Sequence, residues 1–199
     1  MDDNWIKRIP VAWTVHKFGG TSLADAACFR RVADIVVGRP EGNLAVVVSA
    51  IGGVTDLLLS LIDQASRGES VESSIETLQR GYESIVRELL SLERADALLH
   101  EFKADLENIC SVLKALSVVK AASHRSRDLV AGYGELWSAR LLAVLLDEGK
   151  RCSGNVACVD ARDILVVEPG EMGPIVVWEL TREQCQRVIP EDYNGIVVV

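Results

Sequence analysis

Short apolar runs alternate with amphipathic segments in the first third of the chain. Residues 11–15 are apolar and partly β-branched and lead towards a glycine pair at 19–20, which predicts a buried strand that ends at a sharp turn. Apolar residues then recur at helical spacing over residues 23–37, which predicts a helix. The continuous apolar run at residues 44–48 is typical of a strand covered on both faces. A second glycine pair and a helix start follow it, so the pattern of strand, glycine turn and helix occurs twice.

The middle of the chain is predicted to be helical almost throughout. Two stripes of apolar residues over residues 71–148 have the spacing of long amphipathic helices. The stripes consist of Ile75, Leu78, Tyr82, Ile85, Leu89 and Leu90, and of Leu106, Ile109, Leu113 and Leu116. Strand-like segments resume at residues 155–159 and 165–167, and a helix is predicted over residues 178–188 before a closing apolar run at 196–199.

This order of elements predicts an α/β fold with three αβα layers, a mainly parallel sheet and a helical insertion. Strands that are apolar without alternation need helices on both faces, and a strand–helix–strand unit favours parallel pairing. We expect residues 1–10 to form an N-terminal extension and residues 11–199 to form the N-terminal portion of one domain. The closing apolar run is typical of a central strand, which a loop and helix normally follow. We therefore expect a fragment of a longer protein, incomplete at the C-terminus.

Composition excludes several classes of protein. The chain has 21 Lys and Arg against 29 Asp and Glu, a formal net charge of −8, whereas nucleic-acid binding normally requires a surplus of cations. The acidic N-terminus lacks the basic region of a secretory signal. The apolar stretch at residues 44–54 contains Ser49 and two glycines and is much shorter than the ~20 residues of a membrane span. We expect neither a nucleic-acid nor a membrane partner.

The cysteines indicate a reducing compartment. There are five, an odd number, and they are scattered through apolar segments, so they do not form a disulfide framework. Cys152 and Cys158 are spaced like a pair of metal ligands, but no second Cys or His pair stands at ligand spacing. We expect a cytoplasmic protein without a metal site of its own.

The first segment with candidate chemistry is Lys17-Phe18-Gly19-Gly20-Thr21-Ser22, at the end of the first predicted strand. In open α/β sheets, ligands bind beyond the carboxyl ends of strands, where glycines let the backbone approach and helix N-termini present N–H groups to anions. Lys17 would place a positive charge on a transferring phosphoryl group, and the Gly19 and Gly20 amides would contact its oxygens. The alternative is a tight turn with a solvent-facing lysine.

Two further segments supply polar groups. Ser49 and Thr55 place hydroxyls beside the second glycine turn, suitable for a phosphate on one side and a carboxylate on the other. Turn formation and N-capping are compatible alternatives for them. Glu135 lies beside the apolar face of a predicted helix, where a carboxylate requires a cationic partner such as a substrate ammonium group. The alternative is a solvated or ion-paired glutamate.

Taken together, the three segments resemble aspartate kinases of the amino-acid-kinase superfamily. The matching sequence motifs are KFGGTS at 17–22, VVVSAIGGVTD at 46–56 and SRDLVAGYGELWSA at 126–139. Their order and spacing also fit those of the family. The resemblance extends over residues 11–199 and covers the leading part of the family's catalytic domain. Members of the family occur alone and also joined to homoserine dehydrogenase or diaminopimelate decarboxylase, so a bifunctional aspartokinase is one source that fits.

The resemblance implies ATP-dependent phosphorylation of the L-aspartate side-chain carboxylate to 4-phospho-L-aspartate, the first step of lysine, threonine and methionine biosynthesis. By similarity, the catalytic residue is Lys17, the ATP-binding residues are Lys17, Phe18, Gly19, Gly20 and Ser49, and the aspartate-binding residues are Thr55 and Glu135. Mg²⁺ is expected with ATP, with no ligand in this segment, and the full-length protein is expected to be a homo-oligomer.

Two other functions stay open at this point. A sister kinase of the superfamily could act on glutamate, acetylglutamate or a nucleotide. A non-catalytic fragment that binds ligands or supports assembly is the other alternative, and residues 1–199 alone are expected to have little or no kinase activity.

Overall fold

The computed structural model describes residues 13–39, 42–148, 154–171 and 173–199, so the predicted extension at 1–10 lies outside the described residues. The strands are β1 (Trp13–Phe18), β2 (Asn43–Val48), β3 (Asn155–Cys158), β4 (Val167–Glu168), β5 (Ile175–Val176) and β6 (Gly195–Val198). The helices are α1 (Ala26–Val37), α2 (Val54–Arg67), α3 (Glu72–Leu89), α4 (Leu92–Val119), α5 (His124–Glu148), α6 (Ala161–Ile164) and α7 (Trp178–Val188), with a 3₁₀ turn at Gly20–Leu23.

Four of the described strands form one parallel sheet in the order β1, β2, β6, β3. Its register aligns Val15 with Ala45, Ala45 with Val197, and Val197 with Ala157. β6 lies between β2 and β3, which confirms that the closing apolar run is a central strand. Because all four strands are parallel, their carboxyl ends lie at the same edge of the sheet.

The sheet has helices on both faces. Because side chains alternate between faces, Val46 and Val198 point to one side and Val197 to the other. Val46 and Val198 belong to the main core, which also contains buried residues of α1 to α5. Val197 packs with Val159 and with Ile164 of α6, and Cys185 of α7 and the following Ile189 pack on that side. The predicted three-layer α/β fold is therefore confirmed.

The predicted helical region at 71–148 consists of α3, α4 and α5. Aromatic packing joins the three helices: the ring centroids of Tyr82 and Phe102 are 4.4 Å apart, and those of Phe102 and Trp137 are 4.6 Å apart. The buried Tyr82 hydroxyl donates to the Trp137 carbonyl oxygen at 3.2 Å. Burial of this phenol raises its pKa, so it stays protonated and serves as a structural donor.

Helix α5 is the most membrane-like segment of the described chain. By length and composition alone it could cross a bilayer, unlike the shorter apolar stretch at residues 44–54. However, 56% of its most apolar window is buried inside the molecule. A helix covered by other helices and by a sheet is apolar because it lies in the core.

Three local predictions need correction. Residues 11–15 were predicted as a buried strand, but β1 lies at an edge of the described sheet and Val15 is 63% exposed. The helix predicted over residues 23–37 begins later, at Ala26: Thr21 and Ser22 lie in the 3₁₀ turn, and the N-cap of α1 is Asp25, whose carboxylate accepts from the Cys28 N–H at 2.8 Å. The helix starts where a side chain can cap its first N–H groups.

The strand predicted at residues 165–167 has only two residues, Val167–Glu168, and does not lie in the parallel sheet. β4 pairs antiparallel with β5 in a separate two-stranded sheet and does not join the parallel sheet. The nearby helix α6 was not predicted, because a four-residue helix is too short to show helical periodicity.

Asn43 holds the starts of β2 and β6 together. It is 3% exposed, its Nδ2 donates to the Tyr193 carbonyl oxygen at 2.7 Å, and its Oδ1 accepts from the Gly195 N–H at 3.1 Å. We expect Asn43→Ala to lower the free energy of unfolding by about 2–3 kcal/mol, because both backbone groups lose their partner. Urea unfolding measures this, with the exposed Asn155→Ala as the control, for which the change should stay below about 0.5 kcal/mol.

Candidate phosphate and amino-acid site

The first two glycine segments begin side by side at the carboxyl edge of the sheet. β1 and β2 are in register, with Lys17 opposite Val47 and Phe18 opposite Val48. The Ser49 N–H donates to the Phe18 carbonyl oxygen at 3.0 Å, so the pairing continues one residue past β2. The predicted phosphate segment and the predicted hydroxyl segment are therefore neighbours.

Small residues let the two loops pack closely. A methyl group built at Gly20 would lie 3.4 Å from the Ala50 carbonyl oxygen and 3.8 Å from Ser49 Oγ. A methyl group built at Gly52 would lie 3.4 Å from the Cα of Ala24. These are ordinary van der Waals distances, so a methyl group would fit at either glycine, but it would fill the space between the two loops.

The third segment reaches the same place through Gly134 of α5. A Cβ at this position would lie 2.8 Å from Ala50 Cβ and 3.4 Å from Val54 Cγ1, so only glycine permits the observed approach. Thr55 follows Val54 and Glu135 follows Gly134. The two residues predicted to bind the amino acid are therefore next to residues that touch each other.

The candidate side chains differ in exposure. Lys17 is exposed at the end of β1, as is Gly19, whereas the remaining candidates are half-buried: Phe18, Gly20, Ser49, Thr55 and Glu135. Neither Lys17 nor Glu135 forms an ion pair with another residue that the structure describes. Both charges are therefore available to a ligand.

Helix α2 begins at the same edge. Its N-cap is Gly53 with φ of 80°, a left-handed conformation that favours glycine, and no side chain caps the helix. Thr55 is thus the second residue of α2 and does not have the N-cap role considered from the sequence. The first N–H groups of a helix attract anions, so α2 presents its positive end at the carboxyl edge of the sheet.

A small cavity lies beside these loops. It has a volume of about 260 Å³ and runs between the second glycine turn and α3. Its lining residues are mainly apolar or small: Ala24, Ile51, Gly52, Gly53, Val54, Leu57, Thr77, Leu78, Gly81, Tyr82 and Ile85. Lys17, Thr55 and Glu135 are not among them, so this cavity is adjacent to the candidate site and separate from its polar groups.

Two features of the site were missed from the sequence. Gly134 was noted within its motif but was given no role, because a close approach between a helix and a loop leaves no local pattern. The other is a contact to α5 from the end of β3: the Arg162 guanidinium carbon lies 5.5 Å from the Tyr133 ring centroid. The Asp-Ala-Arg sequence at residues 160–162, directly after a predicted strand, was the signal for it, but these residues were left out of the predicted site.

No metal centre is found in the part of the chain that the structure describes. No group of three or more His, Cys, Asp or Glu side chains is arranged to hold an ion there. Cys28, Cys110, Cys158 and Cys185 are free thiols, and Cys152 lies outside the described residues. The candidate site in the described part of the chain contains glycine-rich backbone, the Lys17 ammonium group and the Glu135 carboxylate.

A parallel αβα sheet with adjoining glycine loops at two strand ends is typical of α/β domains that bind anions at the carboxyl edge of the sheet. Residues 12–199 match the Amino acid kinase family, and the chain belongs to this family. Within it, the domain is aspartokinase-like: its curated homologues are aspartokinases and bifunctional aspartokinase/homoserine dehydrogenases, which are kinases that contain this domain.

Three comparisons illustrate the relationship. The chain is 36% identical over 159 residues to the chloroplastic bifunctional aspartokinase/homoserine dehydrogenase 2 of Arabidopsis thaliana, which covers 79% of this chain and 17% of the relative. It is 35% identical to the Escherichia coli bifunctional aspartokinase/homoserine dehydrogenase 2, over 77% of this chain and 18% of the relative. The structure of E. coli aspartokinase III with lysine and aspartate superposes with a TM-score of 0.75 at 25% identity, covering 92% of this chain and 40% of that one. The chain thus spans less than a fifth of these curated relatives.

Proposed function

We propose that the protein is an aspartate kinase, which transfers the γ-phosphoryl group of ATP to the side-chain carboxylate of L-aspartate. The contact of Gly134 with Ala50 carries the proposal, because it joins the helix of Glu135 to the two glycine loops. A phosphate-binding edge and a free carboxylate for an ammonium group are thereby available together. The aspartokinase names of the relatives, and the aspartate present in the E. coli complex, support this substrate over other amino acids.

The proposed reaction needs no general base. The side chain of aspartate has a pKa of ~3.9 and is ionised at neutral pH, so it is already nucleophilic. A carboxylate oxygen forms a bond to the γ-phosphorus, the bond from phosphorus to the β,γ-bridging oxygen breaks, and ADP leaves with the electron pair. Positioning and charge neutralisation carry the rate, and the Lys17 ammonium would stabilise the phosphoryl group during transfer.

The remaining residues would bind the two substrates. The backbone of residues 17–20 would contact the phosphates of ATP, and Ser49 would lie at the junction between ATP and aspartate. The Thr55 hydroxyl and the Glu135 carboxylate would bind aspartate, with Glu135 facing its ammonium group. Mg²⁺ would enter with ATP and neutralise phosphate charge. No described cluster of carboxylates fits the ion, so no step of the mechanism is assigned to it.

The substrate is tested by comparing amino acids. ATP-dependent acyl phosphate formation, trapped as the hydroxamate, should be supported by L-aspartate in the complete gene product. L-Glutamate and N-acetyl-L-glutamate should give less than about a hundredth of that kcat/KM, because a site fitted to the shorter chain misplaces the longer carboxylate by about one bond length. A preference for either of the longer acids would contradict the proposal and favour a sister kinase.

Glu135→Gln tests the amino-acid site. We expect the KM for L-aspartate to rise about 10- to 100-fold, because the ammonium group loses a charged hydrogen-bond partner. The KM for ATP should change less than about twofold. Glu107→Gln, at an exposed position of α4, is the matched control and should leave both values unaltered. An unchanged aspartate KM in Glu135→Gln would remove Glu135 from the substrate site.

A non-catalytic role for residues 1–199 alone is the second candidate, since this segment matches less than a fifth of the curated bifunctional relatives. We expect residues 1–199 by themselves to show little or no aspartate-dependent ADP formation. Robust turnover by this segment would refute that prediction. We also propose that the full-length protein is a cytoplasmic homo-oligomer, although plant relatives are named as chloroplastic.

A further inference from the structure

We propose that the Asp160–Arg162 pair is a positioning element for the aspartate site, acting through Tyr133 on the helix segment that carries Glu135. This inference rests on the proposed function. It assigns to the end of β3 a role in substrate binding, in addition to the glycine loops that follow β1 and β2.

Several hydrogen bonds join Asp160 and Arg162 just after the end of β3. Asp160 follows this strand closely and is the N-cap of α6, accepting from the Arg162 N–H at 2.9 Å. The Arg162 Nε donates to both carboxylate oxygens, at 2.9 and 3.0 Å, and Nη2 donates to Oδ2 at 2.5 Å. These bonds lower the pKa of Asp160, so the carboxyl group is ionised at neutral pH and holds the guanidinium in one orientation.

The oriented guanidinium contacts α5. Its carbon atom lies 5.5 Å from the ring centroid of Tyr133, within the range of a cation–π interaction. Tyr133 in turn packs against Trp137, with ring centroids 5.8 Å apart. Tyr133 is two residues before Glu135 in the same helix, and a helix transmits the position of one residue rigidly to its neighbours.

Other contacts also hold the segment of α5 around Glu135 in place, and the Arg162 contact differs from them in the element from which it comes. Gly134 packs on Ala50 beyond β2, and Trp137 Nε1 donates to Asp105 of α4 at 3.0 Å. Arg162 supplies the anchor from the end of β3. Together these contacts hold α5 against the sheet edge and against α4, which sets the position of Glu135 relative to Ser49 and to Thr55 of α2.

The geometry favours positioning over direct binding by Arg162. Its guanidinium is already bonded to a carboxylate, so binding a phosphate or a substrate carboxylate would require it to leave Asp160. An arginine that binds nucleotide would also change the KM for ATP when removed. The KM for ATP therefore separates positioning from nucleotide binding, and the double variant with Glu135→Gln separates positioning from direct binding of aspartate.

The test is Arg162→Met in the complete gene product, because methionine keeps an apolar stem and removes the charge. We expect the KM for L-aspartate to rise about 5- to 20-fold, kcat to fall less than about threefold, and the KM for ATP to stay within twofold. Arg162→Lys should recover part of the affinity, since an ammonium group also interacts with an aromatic ring.

Arg30→Met is the matched control. Arg30 pairs with Glu88 at 2.9 Å and is 48% exposed, close to the 47% of Arg162, but it joins α1 to α3 away from Glu135. Its KM values should stay within twofold of wild type. An aspartate KM in Arg162→Met that matches Arg30→Met, or a raised KM for ATP, would overturn the inference.

A second pair of variants tests the path through Tyr133 even where Arg162→Met fails to fold. Tyr133→Phe keeps the ring and should resemble wild type, whereas Tyr133→Leu should raise the aspartate KM as Arg162→Met does. In Glu135→Gln, adding Arg162→Met should have no further effect on this KM, because both act through one carboxylate. Additive effects would overturn this inference, whereas an unaltered aspartate KM in Glu135→Gln alone would remove Glu135 from the substrate site and so overturn the part of the proposed function on which the inference rests.

Discussion

Replacement of Lys17 by alanine should lower kcat of the complete gene product about 100- to 1000-fold. The expected loss is that of a preorganised charge at the transferring phosphoryl group. The KM for L-aspartate should change less than about threefold, because Lys17 is assigned to phosphate and not to the amino acid. Steady-state measurement of ADP release, with aspartate and ATP varied separately, gives both values.

Two further variants control this experiment. Lys17→Arg keeps the positive charge but presents a planar group, so it should recover only part of the rate. Lys114→Ala, on α4 and without an assigned role, should leave kcat unaltered. An undiminished kcat in Lys17→Ala would show that the role given to this lysine is wrong. This conclusion does not depend on the result for Glu135→Gln.

Gly134→Ala should raise the KM for L-aspartate at least tenfold and lower the free energy of unfolding by about 1–3 kcal/mol. The new methyl group would lie 2.8 Å from Ala50 Cβ, closer than two carbon atoms can pack, so α5 must move away from the loop. Glu135 would move with the helix. Urea unfolding and aspartate kinetics measure the two consequences separately.

Gly132→Ala is the matched control on the same helix. A Cβ there would meet no atom within 4 Å, so the change adds helix propensity without a clash. We expect it to raise the free energy of unfolding by about 0.5–1 kcal/mol and to leave the aspartate KM unaltered. Equal aspartate KM values in Gly134→Ala and Gly132→Ala would contradict the inference that the contact with Ala50 positions Glu135.

Much of the fold could be predicted because local patterns reflect burial. The stripe of Leu106, Ile109, Leu113 and Leu116 is buried along α4, and the predicted helix over residues 178–188 agrees with α7. The prediction for β1 was wrong in its burial because apolar composition does not reveal which strand lies at an edge. Strand order depends on contacts between residues far apart in sequence, such as Ala45 with Val197.

The candidate site, like the fold, has some features that could be predicted from the sequence and others that could not. Lys17, Ser49, Thr55 and Glu135 were nominated from residue type, neighbouring glycines and family resemblance, and their roles stay predictions. The need for glycine at 134 and the contact of Arg162 with Tyr133 could not be predicted. Both depend on distances between elements that the intervening helices bring together.

The amino-acid sequence by itself determined the elements, the glycine turns and the reactive groups available, because periodicity and backbone freedom are local properties. Only the tertiary structure decided that the three segments meet around Ala50, that β6 lies between β2 and β3, and that Arg162 reaches α5. The physical reason is that parallel strands bring their carboxyl ends to one edge whatever their separation along the chain. Close packing then selects which side chains touch there.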